Sequence, residues 1–441
     1  MQPTSYGVTE KCGLRREVQR YIDEHESDII QFLQSMIRAR SVNLTLSSGF
    51  WLGTEAYAAE LIIPELKAIG FEVKVFELEE GRPNIVARLR GKVGKPRLLI
   101  NSHLDTVPVD NIDLPKWRFN PFSGELAEGS IWGRGACDHK SMGASIIWAA
   151  KALRELGIEL EGDLVVVQDS DEEAGGFKGF NYLAEKHREE IEADFAIYAV
   201  NTQVTNENME NFPSFSSYNI WVRTMATKTF KIRIWEDPPH PENLINPKAA
   251  GRLSELCMRF IHWIWKLAEE MASRHDPLLG HDILTLDGVE FHRKKAWSTT
   301  PGSCEITVTC RYSPEHIDPS EEISRVLDEF KAIENVKAEI ELVSYRPGMS
   351  MPTDSEVVEA IKRAAVEVRG VEPKTTGTPV GISWGFTNLV NTLGIPTACF
   401  GYGCVDRHHS INERISVEDL KDTTKVFALV YMDLLKAYDR P

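Results

Sequence analysis

The chain has 441 residues, 42% hydrophobic and 26% charged, enough to fold as two or three packed units around full cores. A formal net charge of −16 leaves no basic surplus to neutralise phosphates, which argues against nucleic acid and anionic membrane and points to a small-molecule substrate. Seven cysteines, odd in number and without a Cys-x-x-Cys pair, read as reduced thiols; with neither a membrane-length apolar span nor a signal-type amino terminus, the expected location is cytoplasmic.

In chain order, residues 14 to 38 mix apolar and charged residues at helical spacing, and a second helix is predicted from Glu55 to Ile69, stopped by Gly70. Strands are predicted from Glu72 to Glu77, Asn84 to Leu89 and Pro96 to Ile100, then a helix from Met142 to Leu156 and a strand from Asp163 to Gln168. A helix from Phe177 to His187 and a strand from Phe195 to Val200 continue the alternation. This rhythm predicts an α/β fold, a mostly parallel twisted sheet with helices on both faces. The polar run from Asn201 to Ser217 reads as a crossing between domains.

Beyond it, strands predicted from Phe230 to Trp235, Glu305 to Tyr312 and Val336 to Val343 alternate in polarity, with helices near Pro247 to Met271 and Ser320 to Lys331 between them. They predict an inserted α+β domain with its own antiparallel sheet. The α/β rhythm resumes with a helix from Asp354 to Val368, a turn and helix from Gly381 to Leu389, a strand from Pro396 to Gly401 and a final helix from Val417, capped by Ser416 and Asp419. The expected division is 1–211 with 346–441 for the catalytic domain and 212–345 for the insertion.

Chemistry-bearing residues gather where the predicted strands end. The apolar run Leu98 to Ile100 delivers His103 and Asp105 to a strand end, where open α/β sheets bind ligands. His103 suits a metal ligand through one ring nitrogen, and Asp105, on the same side of an extended chain, can accept a hydrogen bond from the other. Asp138 in Gly133-Arg134-Gly135-Ala136-Cys137-Asp138, the run Asp171-Glu172-Glu173 and the late pair His408-His409 add donors to one metal site. A hydrolase needs water ionised near neutrality, which bound zinc achieves by lowering its pKa from about 15.7 to about 7. Of the two consecutive glutamates, one can take the proton while the other binds metal; position alone leaves open which does which.

Over nearly its whole length the chain resembles the co-catalytic zinc metallopeptidase and amidohydrolase family that includes glutamate carboxypeptidase, aminoacylase, acetylornithine deacetylase and succinyl-diaminopimelate desuccinylase, with a nitroanthranilate-deaminating branch. The likeness lies in four motifs in order: His103-Leu104-Asp105-Thr106-Val107-Pro108; Trp132-Gly133-Arg134-Gly135 through Asp138 and Lys140; Asp171-Glu172-Glu173 with Gly175-Gly176; and His409-Ser410 with Glu413. The resemblance implies that His103 is a ligand and Asp105 its orienting partner, Asp138 the carboxylate bridging two metals, Glu172 the general base, and Glu173 and His409 ligands. His409 is preferred to His408 because it directly precedes the Ser-x-Asn-Glu run. The resemblance also implies that the insertion is a lid and dimerisation domain producing a homodimer. His240 would then reach the neighbouring subunit's active site to polarise the scissile group, and Arg311 would clamp a substrate carboxylate.

Three positions depart from the family pattern. Where an acidic ligand is expected after Asp194-Phe195-Ala196-Ile197-Tyr198-Ala199, this chain has Val200 and then Asn201. Ser298 replaces an asparagine ahead of Pro301, and Trp384 replaces a small or acidic residue of the Gly-rich turn. With only the set Asp138, Glu173 and His409 complete, one firmly held divalent metal per chain is expected, zinc, manganese or cobalt. Arg311, Trp384 and Ser298 as substrate contacts imply a compact, flat substrate bearing a carboxylate. The expected function is a metal-dependent hydrolase that cleaves a C–N bond in such a substrate by attack of a metal-bound water, with Glu172 as base. Hydrolytic deamination of an aromatic amine such as a nitroanthranilate, and a catalytically inactive binding protein, are the alternatives.

Overall fold

The computed structural model describes residues 5–46, 54–204, 218–235, 247–293, 301–378 and 384–438. The chain divides into two compact units: Met1–Val222 with Met351–Thr376 and Ile382–Pro441, and Arg223–Ser350 with Gly377–Gly381.

In the first unit the strands Asp163–Asp169, Arg97–His103, Phe195–Ala199 and Thr397–Phe400 lie side by side and run parallel. Asn84–Leu89 and Glu72–Phe76 extend one edge antiparallel, and Asn219–Thr224 pairs antiparallel with Thr397–Phe400 at the other. The parallel strands read as continuous apolar runs because helices cover both faces; every residue of Asp163–Asp169 is buried. The helix Lys140–Glu155 is buried nearly all round, and it packs against Glu26–Arg38, Val417–Leu434 and the Arg97–His103 strand. Helix Glu55–Ile69 ends at Gly70, whose φ of +106° provides the left-handed cap that the sequence signals. Ser416 caps Val417–Leu434 by accepting a hydrogen bond from Asp419 N at 2.9 Å.

The segment read as one helix over residues 14 to 38 is two, Ser5–Glu24 and Glu26–Arg38. The chain turns at His25, where Nδ1 bonds the Tyr21 carbonyl at 2.8 Å; with neither Gly nor Pro there, the sequence carries no punctuation for it. The first central strand runs on past Ile100 to His103, so the candidate ligand is itself the last strand residue.

The second unit is an antiparallel sheet in the order Ile283–Arg293, Pro301–Tyr312, Ala226–Trp235, Lys337–Arg346. One face carries Phe230, Ile232, Ile234, Ile306, Val308 and Cys310 into a core with Phe260, Ile264, Leu327 and Phe330 of the helices Pro247–Ala272 and Pro319–Glu334. Alternation along Pro301–Tyr312 puts Arg311 on the other face, exposed, opposite Thr227 and Ile283. The long strand Ile283–Arg293 escapes sequence reading because its register shifts between Leu286 and Gly288, which breaks the two-residue period.

Among the described residues no helix is long and apolar enough to cross a membrane. The described cysteines are free thiols.

Candidate metal centre

The candidate donors stand at the carboxyl ends of the parallel strands or on the connections that follow them, as in other open α/β sheets. His103 ends its strand opposite Asp169, the last residue of the neighbouring strand, and the Asp171–Gly176 loop follows directly. Asp138 and His139 immediately precede the buried helix Lys140–Glu155. The loop after Thr397–Phe400 carries His408 and His409.

Asp138 stands at the centre, and its two carboxylate oxygens face different partners. On the Oδ1 side, His103 Nε2 lies at 3.3 Å and His139 Nε2 at 3.0 Å. On the Oδ2 side, His409 Nε2 lies at 3.1 Å and His408 Nδ1 at 3.3 Å. His409 Nε2 also approaches Glu173 Oε2 at 2.9 Å. Two donor groups result, His103–Asp138–His139 and Asp138–Glu173–His409, each with its atoms within 4.8 Å of one another. His408 turns its other nitrogen to Asn201 Oδ1 at 3.2 Å, so of the adjacent pair it is His409 that meets Glu173.

Supporting contacts fix these side chains. His103 Nδ1 lies 3.0 Å from the Asp105 backbone carbonyl and 3.3 Å from Asp105 Oδ1, and that carboxylate accepts hydrogen bonds from Asn43 Nδ2 at 2.7 Å, Glu172 N at 3.2 Å and Glu173 N at 3.1 Å. Asp105, through its carbonyl and carboxylate, therefore orients the imidazole and pins the acidic loop. The two glutamates then diverge. Glu173 is buried against His409, whereas the Glu172 side chain is 15% exposed with Oε2 3.7 Å from His103 Nε2.

Sequence reading assigned no role to three groups that hold these loops. Glu413 Oε1 accepts hydrogen bonds from Cys137 N and Asp138 N, both at 2.9 Å, while Oε2 takes Arg134 Nη1 at 2.6 Å. Buried Arg82 joins Glu55 at 2.6 Å and Asp171 at 2.9 Å, anchoring the start of the acidic loop, where Asp171 has a φ of +64°. Gly135, at φ +86°, is required where it stands, since a Cβ would sit 2.8 Å from Thr106 Cγ2. Glu413 was visible as the last residue of a motif, but Arg82 and Glu55 lie 27 positions apart and carry no local signal. His139 carries no sequence signal of its own, standing between the motif members Asp138 and Lys140.

The remaining candidates stand elsewhere. Arg311 is exposed in the second unit. His240 and Ser298 lie outside the described residues, as does the side chain of Trp384, whose backbone opens the short helix Trp384–Thr387.

The electrostatics fit a cation. Burial and then the Asp138 charge push the Glu173 carboxyl upward, and hydrogen bonds to Asp138 and Glu173 pull His409 up to about 11. Against the effect of burial, Glu172, Asp105 and Asp138 raise His103 well above the ordinary imidazole value. A buried excess of carboxylate is the common cause, and a divalent cation would relieve it. Burial pushes His139 down to about 4, leaving a neutral ring, the state in which imidazole binds metal. Its Nε2 faces only Asp138 Oδ1, and Nδ1 has no hydrogen-bond partner among the described residues, although the side chain is 5% exposed. Histidine and carboxylate donors of this kind suit zinc, manganese and cobalt alike.

Known proteins share this arrangement of chain. The model of peptidase family M20/M25/M40 matches residues 99–433. An N-formyl-4-amino-5-aminomethyl-2-methylpyrimidine deformylase of Halalkalibacterium halodurans is 23% identical over 439 residues, covering 94% of this chain and 96% of its own. A succinyl-diaminopimelate desuccinylase of Cereibacter sphaeroides is 27% identical over 393 residues, covering 87% and 94%. The crystal structure of human carnosine dipeptidase 1 superposes with a TM-score of 0.66 at 18% identity, over 96% of this chain and all of that one, a likeness of fold. The chain thus belongs to peptidase family M20/M25/M40 and is a metal-dependent hydrolase of carbon–nitrogen bonds, which removes the inactive binding protein from consideration.

Proposed function

We propose that the protein hydrolyses the amide of a small N-acylated molecule, with Glu172 as general base and Glu173 as metal ligand. The observation that carries this reading is the divergence of the two glutamates: Glu173 is buried on His409 at 2.9 Å, while Glu172 is more exposed and stands 3.7 Å from His103 Nε2. A base must sit beside the metal donors without being consumed as one of them, and Glu172 meets that condition. The deformylase and the desuccinylase, named for removing a formyl and a succinyl group, support an acyl amide as the bond broken.

His103, Asp138, Glu173 and His409 would hold the metal, which when bound makes water nucleophilic near neutral pH and polarises the scissile carbonyl. Glu172 takes the proton from the attacking water and returns it to the leaving nitrogen. Asp105 keeps the His103 Nδ1 proton in place, leaving Nε2 to face the donors. Arg311 offers a planar guanidinium to a substrate carboxylate. We assign the second unit the part of a lid through which two copies pair. Its edge strand Ile283–Arg293 exposes Leu286, Val289 and Phe291, and helix Pro247–Ala272 exposes Met258 and Trp265.

The test is a panel of N-formyl, N-succinyl and dipeptide substrates offered to metal-loaded protein and to two variants. Glu172→Ala should lose about 10²–10⁴-fold in kcat with metal content intact, whereas Glu173→Ala should lose the metal itself. Near-normal turnover by Glu172→Ala would refute the assigned mechanism. Sedimentation at micromolar concentration should show a dimer, and a monomer would remove the pairing.

A further inference from the structure

The acid expected after Ala199 is missing: Val200 is apolar and buried, and Asn201 spends its amide on the Tyr402 carbonyl at 2.6 Å and on His408 at 3.2 Å. On that side of Asp138 a third donor is nevertheless present. His139 Nε2 lies 3.0 Å from Asp138 Oδ1, and His103 Nε2 lies 3.3 Å from the same oxygen. Ligands about 2.0–2.1 Å from a tetrahedral ion are themselves about 3.3–3.4 Å apart, close to the two Asp138 distances, and all three donor atoms lie within 4.8 Å of one another.

The His139 ring is packed among those of His103, Tyr198 and His408. Its side chain is 5% exposed and its ring lies 4.4 Å from that of His103 between centroids; Nε2 faces only the Asp138 carboxylate, and Nδ1 has no hydrogen-bond partner among the described residues. A buried imidazole gives up hydrogen bonds it would have in water, and a metal bond at Nε2 would make good that loss at the nitrogen facing Asp138. We infer that His139 takes the place of the absent acid, so that Asp138 bridges two divalent cations, one held on its Oδ1 side by His103 and His139 and the other on its Oδ2 side by Glu173 and His409. The inference rests on the metal-dependent reading above and changes its stoichiometry from the one ion expected from sequence to two. It also changes the charge of the Oδ1 site, which gains a neutral donor where a carboxylate is expected.

The experiment is titration of chelator-stripped protein with cobalt(II) and with manganese(II), read by elemental analysis, visible absorption and electron paramagnetic resonance. Wild type, His139→Ala, His139→Phe, which keeps a ring but no donor, and His409→Ala are compared, with circular dichroism reporting the fold. Wild type should take two equivalents and show an exchange-coupled manganese pair. Both His139 variants should keep one ion and weaken the other by at least about 10–100-fold, since losing even an outer partner of a ligand costs that much. His409→Ala should weaken the opposite ion. Saturation of folded wild type at one equivalent, or two equivalents with unchanged affinity in both His139 variants, overturns the inference while leaving a metal hydrolase. Folded wild type that binds no ion overturns both.

Discussion

At the sheet ends of the first unit His103, Asp105, Asp138, His139, Arg82 and Glu413 are buried within one region, whereas the interior of the second unit is Phe260, Phe330, Ile306 and their apolar neighbours. The few buried charges of the second unit form local pairs, such as Asp276 with Arg223 at 2.8 Å and Lys228 with Asp318 at 2.5 Å. An apolar core lowers the free energy of folding by removing area from water. A buried charge cluster does not; exchanging buried ions for apolar residues is often neutral or stabilising. The second unit is arranged for stability, and the first carries a cost at its cluster of candidate metal donors.

That contrast can be broken in four ways. The largest effect is expected from Glu413→Ala, which strips Arg134 and the amides of Cys137 and Asp138 of their acceptor. Removing one member of a buried ion pair costs about 3–5 kcal/mol, and here metal content should fall as well, because the loop carrying Asp138 loses its anchor. Urea unfolding and elemental analysis read the two together; a stable variant with full metal would show the pair to be incidental. Phe260→Ala in the second unit, where the ring meets Phe330 edge-on at 5.0 Å, should cost a similar amount, about 3–5 kcal/mol. Its metal content should stay unchanged, and a loss of metal would erase the division of labour between the units.

Metal removal is next in size. A cation held at about 100 times its dissociation constant contributes about 2.7 kcal/mol, so calorimetry of chelated protein should show a lower Tm that rises again with added cation. A Tm indifferent to chelator and cation would mean that the donors do not bind metal when folded. Smallest is Ser416→Ala, which removes a cap and should cost about 1 kcal/mol with turnover unaffected.

What the sequence disclosed follows the same contrast. The parallel strands and their loops were legible because an apolar run ends abruptly in a histidine or an acid, as at Ile100 to His103 and Val167 to Asp171. The central four strands are parallel as expected, while the antiparallel edges carry no separate signal in a buried sheet. Glu55 and Arg82 could not be paired from sequence, since their meeting depends on the tertiary fold. His139 was hidden differently: it follows a residue already given a role, and only the distances show its ring turned to the same oxygen as His103.

The interrupted first unit also has a consequence for synthesis. Thr397–Phe400 pairs with Phe195–Ala199 and is followed directly by the loop that carries His409, so a chain emerging from the ribosome exposes His103, Asp138 and Glu173 long before their last companion. At about 5–20 residues per second, the interval between His103 and His409 is roughly 15–60 s. Throughout that time the nascent sheet lacks a strand beside Phe195–Ala199, and the Oδ2 side of Asp138 lacks its histidine. The candidate donor set is thereby complete only once His409 has been made, a timing set by the order of the segments.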